Sequence, residues 1–461
     1  MSVSAARAAA FDALLRVERD AAFATDALEV RLSQLEKRAD AALATELALG
    51  VLRWRRLLDF LVERFAARPV PSLDLEVLLP LRLGLYQLRF LSRVPASAAV
   101  NESVELVKRA RKRSAAALVN AALRRASREP GLKGSLDAWL PASLSPADRL
   151  GILLSHPTWL VERWLARYGE QDVRALLEAN NRPAHLRAAV LDPADSEGVT
   201  ASLVEDGFNA VPGTWLSAAL ELHEVPRGGV AAARALRDGR LLIQDEASQM
   251  IPLLLDVRRG QRVLDLCAAP GGKTARLAQQ AGQGTVIAGD VHAHRLREMR
   301  TFLDRLRLSN VHLAAFDATA ALPLTGSFDR ILLDAPCSGT GTLARNPEIR
   351  WRLQPAGVPA LAEKQSAMLR VALAHLSPGA RLVYSTCSLE HEENEQVVVS
   401  ALAACPDVRI VPAISALSPH LRNAADAAAF FDAQGFFHTL PSQHNTDGFF
   451  AAVIERTSTA G

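Results

Sequence analysis

Cysteine is scarce in this chain. Its 461 residues hold four, Cys267, Cys337, Cys387 and Cys405, too few and too widely spaced for a disulfide framework or a CxxC metal site. No metal is therefore expected, and a reduced, cytoplasmic setting is. No stretch approaches the roughly 18 consecutive apolar residues of a membrane span, so no membrane partner is expected either. The N-terminal MSVSAARAAAFDALLRVERD carries charges throughout and lacks the apolar core of a secretory signal. Internal repeats and low-complexity tracts are absent, and nothing in the sequence suggests more than a monomer. Net charge is small, at +3. With 49% hydrophobic and 22% charged residues, the balance is that of a globular protein and excludes a disordered or fibrous one.

What is present is length and an uneven charge. At about 150 residues per domain, the chain has room for two to four domains and a large core. Residues 1–150 hold 24 Lys and Arg against 17 Asp and Glu, whereas the remainder is net acidic. A basic module joined to an acidic one fits a polyanionic partner, and it equally fits a merely soluble surface.

Apolar spacing divides the chain in three. Residues 1–140 read as an all-helical domain, with helices over 5–19, 39–67, 75–91, 99–112 and 114–128 separated by breakers such as Arg68-Pro69-Val70-Pro71 and Val94-Pro95. Residues 145–230 read as a small α+β segment, with helices at 158–168, 172–179 and 199–206 and a strand at 186–191. Residues 231–461 alternate strand, loop and helix. Strands are predicted at 262–266, 285–288, 311–315, 330–333, 381–384 and 449–455, with helices at 274–280, 294–307, 359–376 and 394–403. That alternation implies a doubly wound, Rossmann-like α/β sheet covered on both faces. Ligands of such sheets lie beyond the carboxyl ends of the strands, so the candidate chemistry lies in those loops.

The first strand runs into Asp265-Leu266-Cys267-Ala268-Ala269-Pro270-Gly271-Gly272-Lys273-Thr274. Its glycines allow close backbone approach, and the helix that follows offers free N–H groups to an anion. It is not a P-loop, because Cys267 stands where the first glycine of GxxxxGK[ST] is required, and GxGxxG is absent too. Asp290 ends the second strand, where a carboxylate can accept from both ribose hydroxyls of an adenosine or cap the next helix. Asp317 follows the third strand, where it can accept from an adenine amino group or act as a cap. The fourth and fifth strands lead into Asp334-Ala335-Pro336-Cys337-Ser338-Gly339-Thr340-Gly341 and Ser385-Thr386-Cys387-Ser388. A lone cysteine is usually a small buried hydrophobe, but here two stand beyond strand ends on the rim that carries the glycine loop. A helix start after Cys387 would favour its thiolate, whereas Glu390, Glu392, Glu393 and Glu395 would oppose it.

DLCAAPGGKT (265–274), DAPCSGTGT (334–342), STCS (385–388) and TDGFF (446–450), with QDEASQ (244–249) and RNPEIRW (345–351), resemble the motifs of the Sun-type RNA (cytosine-5) methyltransferases. VPASAAVNESVELVKRARKRSAAALVNAALRRASRE (94–129) resembles a NusB-like RNA-binding domain. The one departure is LRAA (186–189), where Ala189 replaces the Asn usual in the family. The resemblance implies an S-adenosylmethionine-dependent enzyme. Cys267, Ala268, Ala269, Pro270, Gly271, Gly272, Lys273, Asp290, Asp317 and Asp334 would hold the cofactor. Cys387 would attack C6 of a cytosine, Cys337 would help remove the C5 proton and release the enzyme, and Asp334 would bind the base edge. The target base must leave its stack to react. The NusB-like module implies 16S rRNA as partner, naked or in early small-subunit assembly, with tRNA or large-subunit rRNA as alternatives. A non-catalytic RNA-binding scaffold would be expected to lack a cysteine or the cofactor loop, and neither is missing. An enzyme methylating an exocyclic nitrogen would carry Asp/Asn-Pro-Pro-aromatic where Asp334-Ala335-Pro336-Cys337 stands.

Lys108, Arg109, Arg111, Lys112, Arg113, Arg124, Arg125 and Arg128 form the candidate RNA-backbone contact. Neutralising them should weaken RNA binding and reduce the slope of log affinity against log salt. An unchanged salt slope in a titration would show a solvated helix face instead.

Overall fold

The computed structural model describes residues 3–226 and 228–457, so Met1, Ser2, Arg227 and residues 458–461 of the expected domains lie outside the described residues. The chain divides into two compact units. One comprises Met1–Pro183 with Leu343–Leu353, and the other Ala184–Thr342 with Gln354–Gly461. No helix among the described residues is long and apolar enough to cross a membrane.

The first unit is helical. Helices Ala5–Arg19, Ala24–Leu32, Arg38–Arg53, Arg55–Ala66, Leu75–Phe90, Ala96–Arg109 and Ala116–Ser127 bury one apolar cluster, and Pro146–Leu153, Thr158–Tyr168 and Glu170–Asn180 follow. The single helix expected over 39–67 is two, broken at Trp54 (φ −102°, ψ 18°). Leu47, Val51, Leu58, Leu61 and Phe65 on the two halves face the same cluster, so the apolar period runs through the break and conceals it. The bend lets Trp54 stack on Phe90 with ring centroids 4.8 Å apart. Helix Ala24–Leu32 was not foreseen, because only Ala24, Ala27 and Leu28 of it are buried. In the basic cluster, Lys108 pairs with Glu105, Arg109 with Asp12 and Lys112 with Asp74, at 2.7, 2.9 and 2.7 Å. Arg111, Arg113, Arg125 and Arg128 are exposed and form no ion pair among the described residues.

Segment Leu343–Leu353 is held in this unit by polar side chains. Trp351 Nε1 donates to Leu52 O at 2.6 Å, Arg53 Nη2 to Ala344 O at 3.2 Å, and Ala24 N to Glu348 Oε1 at 3.0 Å. Arg350 is fully buried. Its guanidinium donates to Ser155 O (3.1 Å), Asn181 Oδ1 (2.9 Å), Asn180 O (3.0 Å) and Leu343 O (3.2 Å). Burial, followed by the nearby Arg53 charge, drives its pKa well below the usual guanidinium range.

The second unit contains two sheets. Strands β1 (Arg187–Val190), β2 (Asn209–Pro212), β3 (Ala219–His223) and β4 (Leu241–Ile243) form an antiparallel sheet in the order β2-β3-β1-β4. Of these four strands only β1 is predicted from the sequence; β2, β3 and β4 are not. Ala189 lies in an apolar cluster with Leu216, Ala219, Leu242 and Ala247, an environment in which alanine packs without an unmet polar group.

The larger sheet has β5 (Arg262–Asp265), β6 (Thr285–Asp290), β7 (Val311–Ala315), β8 (Phe328–Asp334), β9 (Leu376–Thr386), β10 (Val408–Ile410), β11 (Phe437–Thr439) and β12 (Phe449–Arg456). The order is β10-β12-β9-β8-β5-β6-β7, with β11 pairing β12. Strands β7, β6, β5, β8 and β9 are mutually parallel, and β12 joins antiparallel. This is the expected doubly wound α/β fold, and all six strands predicted for it are present. Neighbouring residues point to opposite faces: Val263, Leu332, Val383 and Val453 into one core, Leu264, Ile331, Leu382 and Ile454 into the other. Helices Glu246–Leu254, Gly272–Ala281 and Ala293–Arg305 cover the first face, and Gly357–Ala374 and Glu395–Ala404 the second.

Replacing Arg350 by alanine would strip donors from three buried carbonyls. Unfolding free energy should fall by about 3 kcal/mol or more, read from urea denaturation. A change below about 1 kcal/mol, the net worth of one ordinary hydrogen bond, would show that the guanidinium is not holding the segment.

Candidate active site

Parallel strands end on one edge, and the predicted site residues collect there. Asp265 ends β5, Asp290 ends β6, Asp317 lies two residues past β7, Asp334 ends β8, and Cys387 follows the last residue of β9. Two cavities open beside the glycine loop. One, of about 330 Å³, is lined by Cys267, Ala269, Asp290, Asp317, Asp334, Cys337 and Cys387. The other, of about 560 Å³, is lined by Asp265, Cys267, Ala268, Ala269, Pro270, Gly272, Lys273 and Asp334, with Met299 and Phe302 among its apolar walls. Gly271 lines neither. It takes φ +109°, and a Cβ there would lie 3.0 Å from Met299 Cγ and 3.1 Å from Phe302 Cδ1, so glycine is what lets the loop turn.

Several groups suit a nucleoside-bearing cofactor. Asp290 is nearly buried and accepts from His292 N at 2.8 Å and Arg295 Nη1 at 3.1 Å. Gly289, just before it, lets the Phe316 ring press against the strand, because any Cβ would overlap that ring. Asp317 is exposed and binds Thr319 N (2.8 Å) and Oγ1 (2.7 Å), so it caps its own turn while also lining the smaller cavity. The Thr319 N–H holds its carboxyl below the usual range.

Two charged groups are sunk under the loop. Lys273 Nζ donates to Asp334 Oδ2 at 2.7 Å and lies 5.2 Å from the Phe449 ring centroid. Burial works against the ammonium, but the Asp334 carboxylate outweighs it and raises the lysine pKa. Ser385 Oγ donates to Asp334 Oδ1 at 2.8 Å, which fixes that carboxylate from behind. Asp265 is 1% exposed. Thr274 Oγ1 donates to its Oδ2 at 2.7 Å, while its Oδ1 has no partner. Burial pushes its pKa up to about 7. An orphaned acceptor beside the larger cavity is a place for a cationic or N–H group of a ligand, so the pocket chemistry fits an aminoacyl-bearing nucleoside.

Cys337 Sγ and Cys387 Sγ lie 3.4 Å apart. The Cys337 thiol is pushed well above its usual range, first by its hydrogen bond with Cys387 and then by burial. Burial likewise raises Cys267. No helix starts directly after Cys387: a short turn spans His391–Glu393 and the helix begins at Glu395, so the expected helix-end support for a thiolate is missing. Glu393 is instead an acceptor at the centre of a hydrogen-bond cluster. Its carboxylate accepts from Ser338 N (2.8 Å), Gln365 Nε2 (2.9 Å) and the hydroxyls of Ser338 and Ser388. Asp265, Ser385, Gln365 and Glu393 were not read as site residues. For Asp265 and Ser385 the signal was there, since both adjoin strand ends carrying assigned residues; Gln365 sits mid-helix and gives none.

The family model of the 16S rRNA methyltransferases RsmB/F matches residues 252–455. The NusB family model matches residues 4–128, and the ferredoxin-like domain model of RsmF/B-like methyltransferases matches 156–226. A Bacillus subtilis protein described as a probable ribosomal RNA small subunit methyltransferase B is 32% identical, over 99% of this chain and 100% of the relative. The ribosomal RNA small subunit methyltransferase B of Pseudomonas putida is 36% identical, over 87% of this chain and 90% of its own. Among solved structures, a methyltransferase homologue from Pyrococcus horikoshii has a TM-score of 0.57 at 31% identity, covering 68% of this chain and 100% of that one.

Asp265 generates a pH signature. A carboxyl whose folded pKa lies above its unfolded value binds more protons when folded, so its contribution to stability is complete below about pH 4 and is lost as pH rises through about 7. Asp265→Asn should remove that slope, leaving the variant relatively more stable at pH 8 than at pH 4 in urea unfolding of the ligand-free protein. Parallel pH curves for the two proteins would refute the assignment.

Proposed function

The chain belongs to the RsmB/F family of 16S rRNA methyltransferases, and from that premise we propose that it moves a methyl group from S-adenosylmethionine to C5 of a cytosine in 16S rRNA through a bond between Cys387 and C6. The observation that carries this reading is the pair of sulfurs 3.4 Å apart at the rim of the cavity lined by Asp290, Asp317 and Asp334. One thiol cannot serve as both attacking group and proton acceptor in the same turnover, and here there are two.

C5 of a cytosine is not nucleophilic in the intact ring. Addition of Cys387 Sγ to C6 breaks the C5–C6 double bond and makes C5 enamine-like. As the Cys387 thiol proton passes to ring N3, Asp334, steadied by Lys273 and Ser385, accepts hydrogen bonds from the base edge and balances the positive charge that the N3-protonated ring carries once C5 is methylated. S-adenosylmethionine, when bound, supplies the electrophilic methyl that C5 accepts. Cys337 then helps to take the C5 proton, and the electron pair restores the double bond as Cys387 leaves. Asp290 and Asp317 would bind the adenosine, the loop from Cys267 to Lys273 would carry the aminoacyl end, and Gly271 would let the loop lie close. The helical unit, which matches the NusB model, would hold the RNA backbone through the unpaired Arg111, Arg113, Arg125 and Arg128.

The deciding assay is methyl transfer from labelled S-adenosylmethionine to unmodified 16S transcript. Cys387→Ala should lose transfer entirely, and Cys337→Ala should accumulate a covalent protein–RNA adduct on a denaturing gel. Full activity in Cys387→Ala would overturn the nucleophile. Transfer to tRNA or large-subunit rRNA but not to 16S transcript would keep the chemistry and overturn the substrate.

A further inference from the structure

In both loops that carry the paired cysteines, the cysteine is followed by serine: Cys337-Ser338 after β8 and Cys387-Ser388 after β9. The two serine hydroxyls lie 3.0 Å apart and meet one carboxylate oxygen, Glu393 Oε2. The other oxygen, Oε1, accepts from Ser338 N at 2.8 Å and from Gln365 Nε2 at 2.9 Å. The same Gln365 amide nitrogen also donates to Pro336 O at 2.9 Å, on the other side of Cys337. Glu393, Gln365 and Ser388 are fully buried and Ser338 nearly so. Tyr384 Oη donates to the Glu393 carbonyl, so the residue is fixed at its backbone as well as at its side chain.

A buried carboxylate is expensive unless its lone pairs are filled, and a packed apolar residue would stabilise a fold as well or better. Here the acid binds the residue after each cysteine, and it binds Gln365, whose amide holds Pro336 on the other side of Cys337. Two further contacts, Gly341 N to Cys387 O (2.9 Å) and Leu389 N to Thr340 Oγ1 (2.9 Å), bind the loops to each other. They leave the Cys337-Ser338 step to Glu393 and Gln365.

We propose that Glu393 is a positioning residue for methyl transfer, clamping Ser338 and Ser388 so that Cys337 and Cys387 stand at the separation and orientation their two roles require. It touches neither base nor cofactor. This rests on the two-cysteine reading above and extends it: the spacing of the thiols is set from behind by a carboxylate that no motif reading assigned.

The test uses the full chain with Glu393→Gln, which keeps the size but, with the amide oxygen on the N–H side, turns the acceptor shared by the two serine hydroxyls into a donor. Steady-state methyl transfer to 16S transcript should show kcat lowered about 100-fold, the scale of a 1 Å misplacement, with KM for S-adenosylmethionine within about threefold of wild type. Covalent adduct formation with a transcript bearing 5-fluorocytidine at the target should slow in proportion. Ser388→Ala, which removes one donor to Glu393 and the acceptor of Glu390 N, should lower kcat less and in the same pattern, and it carries the test if Glu393→Gln fails to fold. Wild-type kcat in Glu393→Gln, or a fall in kcat matched by equal losses of cofactor affinity and melting temperature, overturns the proposal. If wild type itself forms no adduct, the two-cysteine reading falls; if wild type and Glu393→Gln form it at equal rates, only the clamp does.

Discussion

Five strands running in one direction, β7-β6-β5-β8-β9, impose the constraint on which the site depends. Parallel pairing sends every carboxyl end to the same edge, and the helices that cover both faces leave that edge open. Asp265, Asp290, Asp317, Asp334 and Cys387, spread over more than a hundred residues of chain, therefore stand side by side. An antiparallel strand would have carried its own loop to the far edge. β12 shows this: it runs against β9, and it is the start of β12, at Phe449, that reaches the site beside Lys273.

The edge is also where the molecule tolerates charges that a core would reject. Asp265 keeps an unpartnered oxygen, Lys273 and Asp334 neutralise each other under the loop, and Glu393 fills its lone pairs from three side chains and one backbone amide. These three cases differ in kind. Asp265 has an open acceptor, Lys273 and Asp334 compensate each other, and Glu393 has its acceptors filled. Buried ionisable groups gathered near a cavity mark function more often than stability.

RNPEIRW (345–351) resembles a family motif but declares no role in its residue types. Its Arg350 and Trp351 turn out to be anchors of the helical unit, with Arg350 donating to backbone carbonyls and an amide oxygen rather than to an acid. A guanidinium with several fixed donors can satisfy several carbonyls at once, which an ammonium on a flexible stem cannot do with the same precision. The motif thus serves packing, and its charged letters concealed that. The same disguise affected Glu393, which in a run of four acids reads as a charge opposing a thiolate and is in fact an acceptor for four donors.

The sequence by itself determined the α/β class, the helical N-terminal region, the order of six strands of the larger sheet and the strand-end acids and cysteines. Those features are local: apolar period, glycine placement and residue type declare themselves within a dozen positions. Tertiary structure alone decided the break at Trp54, the short strands β2, β3, β4, β10 and β11, the membership of Leu343–Leu353 in the helical unit, and the meeting of Ser338, Gln365, Ser388 and Glu393. None of these leaves a period. A bend that keeps the apolar face intact, a strand of three residues and a hydrogen bond across fifty-five positions are fixed by what they touch, and contact across the fold is a property of three dimensions.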